Sequence, residues 1–252
     1  MVNCPGQDQR FWKVDDIFEV NCPKCGKAVE FFKDEPQVKC RNCGRIVINP
    51  KIDLGCAEWC QYAEQCVAAS ATNTTSFIRD TLIDEMKKVF AGDQKRIDHA
   101  RAVLDYAEKI QAAEGGDPLI LKAAAILHDI GIHEAERKYS SSAAKYQETE
   151  GPIIARAILA NYDLDRAVVE HICKIIANHH SAKGINTLEF RCVWDADWLV
   201  NMSAQFERDQ PADLDGAINR IFKTHKGRQI AMALFVNRRD NQNKQETGEK
   251  GG

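Results

Sequence analysis

The sequence predicts a mostly α-helical bundle preceded by a small β-rich, cysteine-rich module. Three observations carry that prediction. The run from Ile120 to Gly131 is almost wholly apolar and ends in His128-Asp129, the pattern of a helix buried on most of its faces. Apolar residues recur with helical spacing on both sides of that run, between Phe77 and Phe235. Finally, Cys4, Cys22, Cys25, Cys40, Cys43, Cys56, Cys60 and Cys66, most of the 10 cysteines, crowd into the N-terminal quarter in closely spaced groups.

The chain has 252 residues and a net charge of -3, enough length for one large domain with a smaller appendage. That charge gives no global reason to expect nucleic-acid or anionic-membrane binding. No apolar run reaches the roughly 18 residues a membrane span requires, and Met-Val-Asn-Cys-Pro-Gly carries no signal-peptide core. A soluble cytoplasmic protein is expected. In that setting grouped cysteines point to metal rather than to disulfides.

The cysteine-rich module is assigned to residues 1–70. Within 17–48, β-type runs at Ile17 to Val20, Ala28 to Phe32 and Ile46 to Ile48 flank two turns, Cys22-Pro-Lys-Cys25-Gly26 and Cys40-Arg-Asn-Cys43-Gly44. Paired Cys-x-x-Cys turns bring four thiolates around one tetrahedral zinc, and the glycines relieve the tight turns. This doubled knuckle resembles the zinc-ribbon family, which implies a structural role or a nucleic-acid or protein contact. Cys56 and Cys60 share a helix face. With Cys66 and Cys4 they offer a second all-thiolate site, suited to zinc or to an iron-sulfur cluster.

Val67 to Thr75, rich in Ala, Ser and Thr, reads as a linker, and the helical domain is assigned to 76–236. An amphipathic helix from Phe77 to Phe90 ends near Gly92. Asp93 caps the next, whose apolar stripe leaves His99 at its border and which Gly115-Gly116 closes. In the central helix Asp117 suits the N-cap and Pro118 the first position, while Gly131 is expected in the left-handed conformation that stops the last turn. His133 to Gln147 reads as a polar surface loop. A helix then starts near Gly151-Pro152 and runs through Leu159, and another runs from Asp163 or Asp165 to His180, with His179 on its buried stripe. A further helix puts Asp197 on an apolar face and Asp195 in more mixed company. Leu214 to Phe222 and Gln229 to Phe235 close the core, and 237–252 reads as a disordered tail.

An unpaired ionisable group in the interior is costly, so buried His128, Asp129 and Asp197 need compensation. With His99 they supply two nitrogens and two oxygens, a set that holds one divalent cation and leaves positions for water and substrate. This ordered set resembles the HD superfamily of metal-dependent phosphohydrolases, whose H…HD…D signature matches His99, His128, Asp129 and Asp197. The resemblance spans Ser76 to Phe235. It extends to Leu127-His-Asp-Ile-Gly131, to the Glu150 to Leu159 helix, to Asn178-His179-His180 and to Asp195-Ala-Asp197-Trp-Leu199.

The resemblance implies an HD-type helical bundle and hydrolysis of a phosphoester of a nucleotide or related small phosphate, with a divalent ion (Mn, Fe, Co, Ni, Zn or Mg) in the site. Asp129 would orient the attacking water, and His133, His179 or His180 would protonate the leaving oxygen. Arg137, Lys138 and Lys183 are candidates for phosphate contacts, and Asp195 for a supporting or substrate-binding group. Two-metal members carry a histidine where Gln147 stands, so a second ion would need Glu148 or Glu150 with His179 or His180. The competing readings are a non-catalytic ribbon and HD sensor, and an iron-dependent HD-type oxygenase. Oligomeric state is left open.

Overall fold

The computed structural model describes residues 12–49 except 23, 34 and 36, and residues 63–236 except 163 and 207–212. Cys4, Cys56, Cys60 and the 237–252 tail lie outside the described residues, as does the side chain of Cys66. The chain divides into two compact units, the first comprising residues up to 78 together with 157–165, the second residues 79–156 and 166 onward. No helix among the described residues is long and apolar enough to cross a membrane.

The first unit contains two antiparallel hairpins. Strand β1 (Ile17–Asn21) pairs with β2 (Ala28–Phe32) in the register Ile17↔Phe32 to Asn21↔Ala28. Strand β3 (Gln37–Lys39) pairs with β4 (Ile46–Ile48), Gln37 opposite Ile48. Period-2 alternation in β2 turns Val29 and Phe31 inward. There they join Cys22, Cys40 and Val47 in a small core. Three strands coincide with the β-type runs; β3 does not, because Gln-Val-Lys carries one apolar residue and is fixed by its pairing with β4. Within the same unit, the Ile46 N–H donates to the Asn161 carbonyl (2.9 Å), which gives β4 a partner on its other side.

The second unit is helical. Helix α1 (Ala63–Phe90), whose residues up to 78 belong to the first unit, runs through residues 67–75, where the sequence suggested a linker. Those residues contain neither Gly nor Pro, so nothing in them stops a helix once packing of Ile78, Leu82, Met86 and Phe90 sustains it. Helix α2 (Gln94–Glu114) is capped by Asp93, which accepts from the Arg96 N–H, and closes at Gly115. Helix α3 (Pro118–Leu127) starts as expected: Asp117 accepts from the N–H groups of Leu119 (2.8 Å) and Ile120 (3.1 Å), and Pro118 occupies the first turn. Seven residues of α3 are buried, and the helix packs against α2, α6 (Arg166–Ile176) and α7 (Leu188–Phe206).

The segment expected to be a loop is mostly helix. Helix α4 (Ile132–Tyr139) buries Ile132 and Ala135 and pairs Glu134 with Arg137 and Lys138 on its outer side. Its two inward residues are too few to register as a periodic pattern. Helix α5 (Ala144–Leu159) begins well before Gly151 and carries Pro152 in its interior. Polar tertiary contacts sustain its first half: buried Glu150 accepts from Lys138 (2.8 Å) and Tyr139 (2.9 Å), and the Gln147 amide donates to the Ser142 carbonyl. Helix α6 stops at Ile176 rather than His180, so His179 and His180 stand in the turn that follows it. Helices α8 (Leu214–Ile221) and α9 (His225–Ala231), then a π-helical turn at Met232–Val236, complete the unit.

Gly131 has φ -82° and ψ -8°, a conformation open to any L residue, and not the left-handed one expected. Its glycine is required by proximity. A Cβ there would lie 2.4 Å from the Gly151 nitrogen and 2.8 Å from the Gln147 carbonyl oxygen. The turn after His128-Asp129 thus rests directly on the backbone of α5.

Candidate metal centre

Residues from α2, the end of α3 and α7 converge. His99 Nε2 lies 3.2 Å from His128 Nε2 and 3.1 Å from Asp197 Oδ1. Asp129 Oδ2 is 3.5 Å from His128 Nε2 and 3.7 Å from His99 Nε2. The other oxygen, Oδ1, faces a second group, 3.4 Å from His179 Nε2 and 4.0 Å from His180 Nε2. Asp129 therefore stands between two clusters, His99/His128/Asp197 and His179/His180, with one carboxylate oxygen turned to each.

The tautomers are set locally. His128 Nδ1 donates to the Ala125 carbonyl (2.8 Å), and His179 Nδ1 to that of Ile176 (2.7 Å). A carbonyl only accepts, so each neutral ring carries its proton on Nδ1 and offers a bare Nε2 lone pair. These two bare Nε2 atoms, those of His99 and His180, and the Asp129 and Asp197 carboxylates meet with few protons to share. Asp129 Oδ1, His179 Nε2 and His180 Nε2 are buried with no hydrogen-bond partner among the described residues. Buried orphans of this kind are costly, and a cation satisfies them. Ligands about 2.1 Å from a common ion stand roughly 3 to 3.5 Å apart, the spacing seen here. The residues fit a divalent metal.

The electrostatics of the cluster's own side chains divide: burial would lower His99 and His179, but Asp197 beside the first and Asp129 beside the second outweigh it and raise both. Burial alone would raise the Asp129 carboxyl, but the imidazoles of His128, His179 and His99 outweigh it and hold the group well below the usual carboxylate range. Burial pushes His128 down, and pushes His180 down to about 4 with help from His179. Both rings are then neutral at physiological pH, as ligands must be.

The remaining predicted residues divide. His133 Nε2 meets Asp93 Oδ2 at 3.1 Å, and its ring stands edge-on to Phe90. Arg137 makes a two-bond pair with Glu134 (2.7 Å each), and Lys138 is tied to Glu150 and Glu134, so neither is a free cation. Lys183 is exposed and makes no ion pair with a described residue. Asp195 is fully buried. Its carboxylate accepts from the N–H groups of Lys223 and Thr224 and from the Thr224 hydroxyl, each at 2.7 Å, which anchors the start of α9. Those three donors are what it holds among the described residues. Glu150 is taken up by Lys138 and Tyr139, and the carboxylate that meets the imidazoles of the histidine pair comes from Asp129.

Two residues escaped sequence reading. Asn201 Nδ2 donates to Asp197 Oδ1 (2.8 Å), and its i, i+4 spacing on α7 was the available signal. Asp93 was assigned as a cap without its second partner, His133.

In the first unit the four knuckle thiols gather, with Cys22 Sγ 3.5 Å from Cys43 Sγ and Cys25 Sγ 3.6 Å from Cys40 Sγ. All four lie within 4.8 Å of one another. Zinc–thiolate bonds of about 2.3 Å place tetrahedral sulfurs roughly 3.8 Å apart, so this set also fits an ion. The knuckles repeat one geometry: the N–H of Gly26 donates to the Cys22 carbonyl and that of Gly44 to Cys40, with φ +70° and +74° at the glycines. The Asn42 side chain, followed by the Lys27 N–H, lowers the Cys25 thiol to about 6.

A helical bundle with a buried His/Asp cluster at its centre is the class this fold and site define. Residues 96–202 match the family described as HD domain, a span that includes every residue of both His/Asp clusters and stops short of the cysteine-rich module. Among solved structures, the chain resembles a predicted HD superfamily hydrolase from an uncultured Thermotogales bacterium (TM-score 0.51, 21% identity, 68% of this chain and 92% of that one). It also resembles an HD-superfamily hydrolase from Bacillus thuringiensis (TM-score 0.50, 20% identity, 69% and 98%). At these identities the likeness is one of fold. No curated protein matches the sequence.

Proposed function

We propose that the chain is a metal-dependent hydrolase that cleaves a phosphoester of a nucleotide or related small phosphate. The observation that carries this reading is the gathering of His99, His128 and Asp197, with one Asp129 oxygen 3.5 Å from His128 Nε2 and 3.7 Å from His99 Nε2 and a His128 tautomer that leaves its Nε2 bare. A divalent ion held there supplies positive charge to a phosphoryl oxygen and acidifies water. Asp129, low in pKa and unprotonated, orients the attacking water. His179 and His180, with Asp129 Oδ1, form a second place for a cation in which neither Glu148 nor Glu150 takes part. His133, held by Asp93, is assigned to protonating the leaving oxygen. With Arg137 and Lys138 neutralised by glutamates, Lys183 is the cation assigned to substrate phosphate.

The cysteine module is assigned a zinc ion at Cys22, Cys25, Cys40 and Cys43. The cleft of about 380 Å³ between its hairpins is lined by Glu19, Glu30 and Glu35 as well as Lys27, Lys39 and Arg41. That mixture suits a protein contact better than nucleic acid.

The test is elemental analysis of the purified protein with a phosphate-release screen over nucleotides and small phosphoesters in Mn²⁺, Co²⁺, Ni²⁺ and Mg²⁺. Release from one substrate class, abolished in Asp129→Ala, is the expected result. Full turnover in Asp129→Ala overturns the proposal. An oxygen-dependent visible spectrum from bound iron without phosphate release would favour the oxygenase reading, which the two-sided Asp129 also accommodates.

A further inference from the structure

Glu148 was available from sequence as a metal ligand, and the structure gives its carboxylate another task. From α5, its Oε1 accepts from the backbone N–H groups of His180 (3.0 Å) and Ser181 (2.7 Å). These two amides belong to the turn that follows α6, beyond the reach of that helix's own ladder. The turn adopts a shape its residues do not favour, with Ala182 at φ +53°. An ionised acceptor bonding two successive N–H groups makes charge-assisted hydrogen bonds, roughly twice as strong as neutral ones.

The two histidines of this turn are held differently. His179 is oriented through its ring, by Nδ1 donating to Ile176. No described residue hydrogen-bonds the His180 ring: its Nε2 is buried without a partner, its ring lies 3.9 Å from that of His179, and its backbone N–H is the group that is fixed. We infer that Glu148 is a positioning residue, which sets His180 beside His179 and opposite Asp129 Oδ1 by clamping the backbone on which His180 is carried. The inference rests on the proposed metal-dependent reading, and it assigns to α5 a part in the second cluster even though Gln147 stands where a ligand would otherwise project.

The test uses the full chain, freed of metal and titrated with Co²⁺ by equilibrium dialysis and visible absorption, as wild type, Glu148→Ala and Glu148→Gln. Outer partners of metal ligands are typically worth about 10- to 100-fold in affinity, so, once the cobalt held by the four thiolates is counted apart by its thiolate absorption, Glu148→Ala is expected to weaken the second equivalent of the helical unit by about that factor and leave the first unchanged. Glu148→Gln, whose amide oxygen still accepts, should recover most of the loss. Hydrogen exchange at the His180 and Ser181 amides, measured without metal, should accelerate in Glu148→Ala and remain slow in Glu148→Gln. Wild-type affinity for the second equivalent in Glu148→Ala overturns the inference and leaves the hydrolase reading intact. A wild type that takes one equivalent in the helical unit removes His180 as a ligand, again sparing that reading. A wild type that takes none there overturns both.

Discussion

Replacing Gly131 by alanine adds one methyl group at the point where the turn after His128-Asp129 meets α5. The backbone at φ -82° accepts alanine without strain, so any cost comes from contact. The added Cβ would stand 2.4 Å from the Gly151 nitrogen, 2.8 Å from its Cα and 2.8 Å from the Gln147 carbonyl oxygen. All three are main-chain atoms and cannot rotate aside, so the two segments must part by about 1 Å to reach ordinary contact. Overpacking of this kind costs about 1 to 3 kcal/mol. For a unit of this size each kcal/mol lowers the melting temperature by about 2 to 4 °C, giving an expected drop of roughly 2 to 12 °C by calorimetry. Gly184→Ala serves as the control: φ is +67° but nothing lies within 4 Å, so about 1 to 2 kcal/mol of backbone strain is its only cost. The distinguishing readout is cobalt affinity, because parting the turn from α5 shifts Asp129 relative to His179 while Gly184→Ala does not. A Gly131→Ala protein that melts with the wild type and binds cobalt equally well would refute the close-approach argument.

Asp195→Ala strands the Lys223 and Thr224 donors and should cost about 2 to 4 kcal/mol in urea denaturation, with cobalt stoichiometry unchanged; loss of cobalt at full stability would return Asp195 to the site. His180 sits at about 4 in the fold, because of burial and then His179, against an ordinary 6.5. The unfolded chain therefore takes up a proton that the fold refuses, and this stability is whole above pH 6.5 and lost as pH falls toward 4. Relative to His180→Gln, the metal-free wild type should lose up to about 3 kcal/mol between pH 7 and pH 4, and a pH-independent difference would contradict the shift. Cys40→Ser should remove one zinc per chain by elemental analysis while far-UV circular dichroism keeps its helical signal; unchanged zinc content would exclude the four-thiolate assignment.

What the sequence made legible follows from which signals are local. Helix α3 could be read with both its N-terminal residues because an all-round apolar run flanked by Asp117-Pro118 has few alternatives. Of the His99, His128, Asp129 and Asp197 set, periodicity put Asp197 on an apolar face and His99 only at the border of its stripe, and the resemblance to the HD superfamily is what joined them with His128-Asp129. Strand β3 and helix α4 were not legible, since each buries only one or two side chains and owes its form to a partner elsewhere. The same holds for the first half of α5, where Glu150 is buried by virtue of Lys138 and Tyr139, which no period announces. Gly131 shows the limit most sharply: sequence marks the glycine, but only the position of Gly151 tells why it is there. Asp195 and Asp197, two residues apart on α7, looked alike as buried acids, and only their donors separate them.

Both inward-facing rings at the ends of α3 and α6 are tethered to a carbonyl three residues earlier, Ala125 for His128 and Ile176 for His179. Their aim is thus encoded within a single helical turn, before any long-range packing is complete. An arriving cation finds imidazoles already pointed, so adjustment on loading falls to the carboxylates of Asp129 and Asp197. Swapping one ion for another of different radius should accordingly be absorbed by carboxylate rotation, with the two imidazoles holding still.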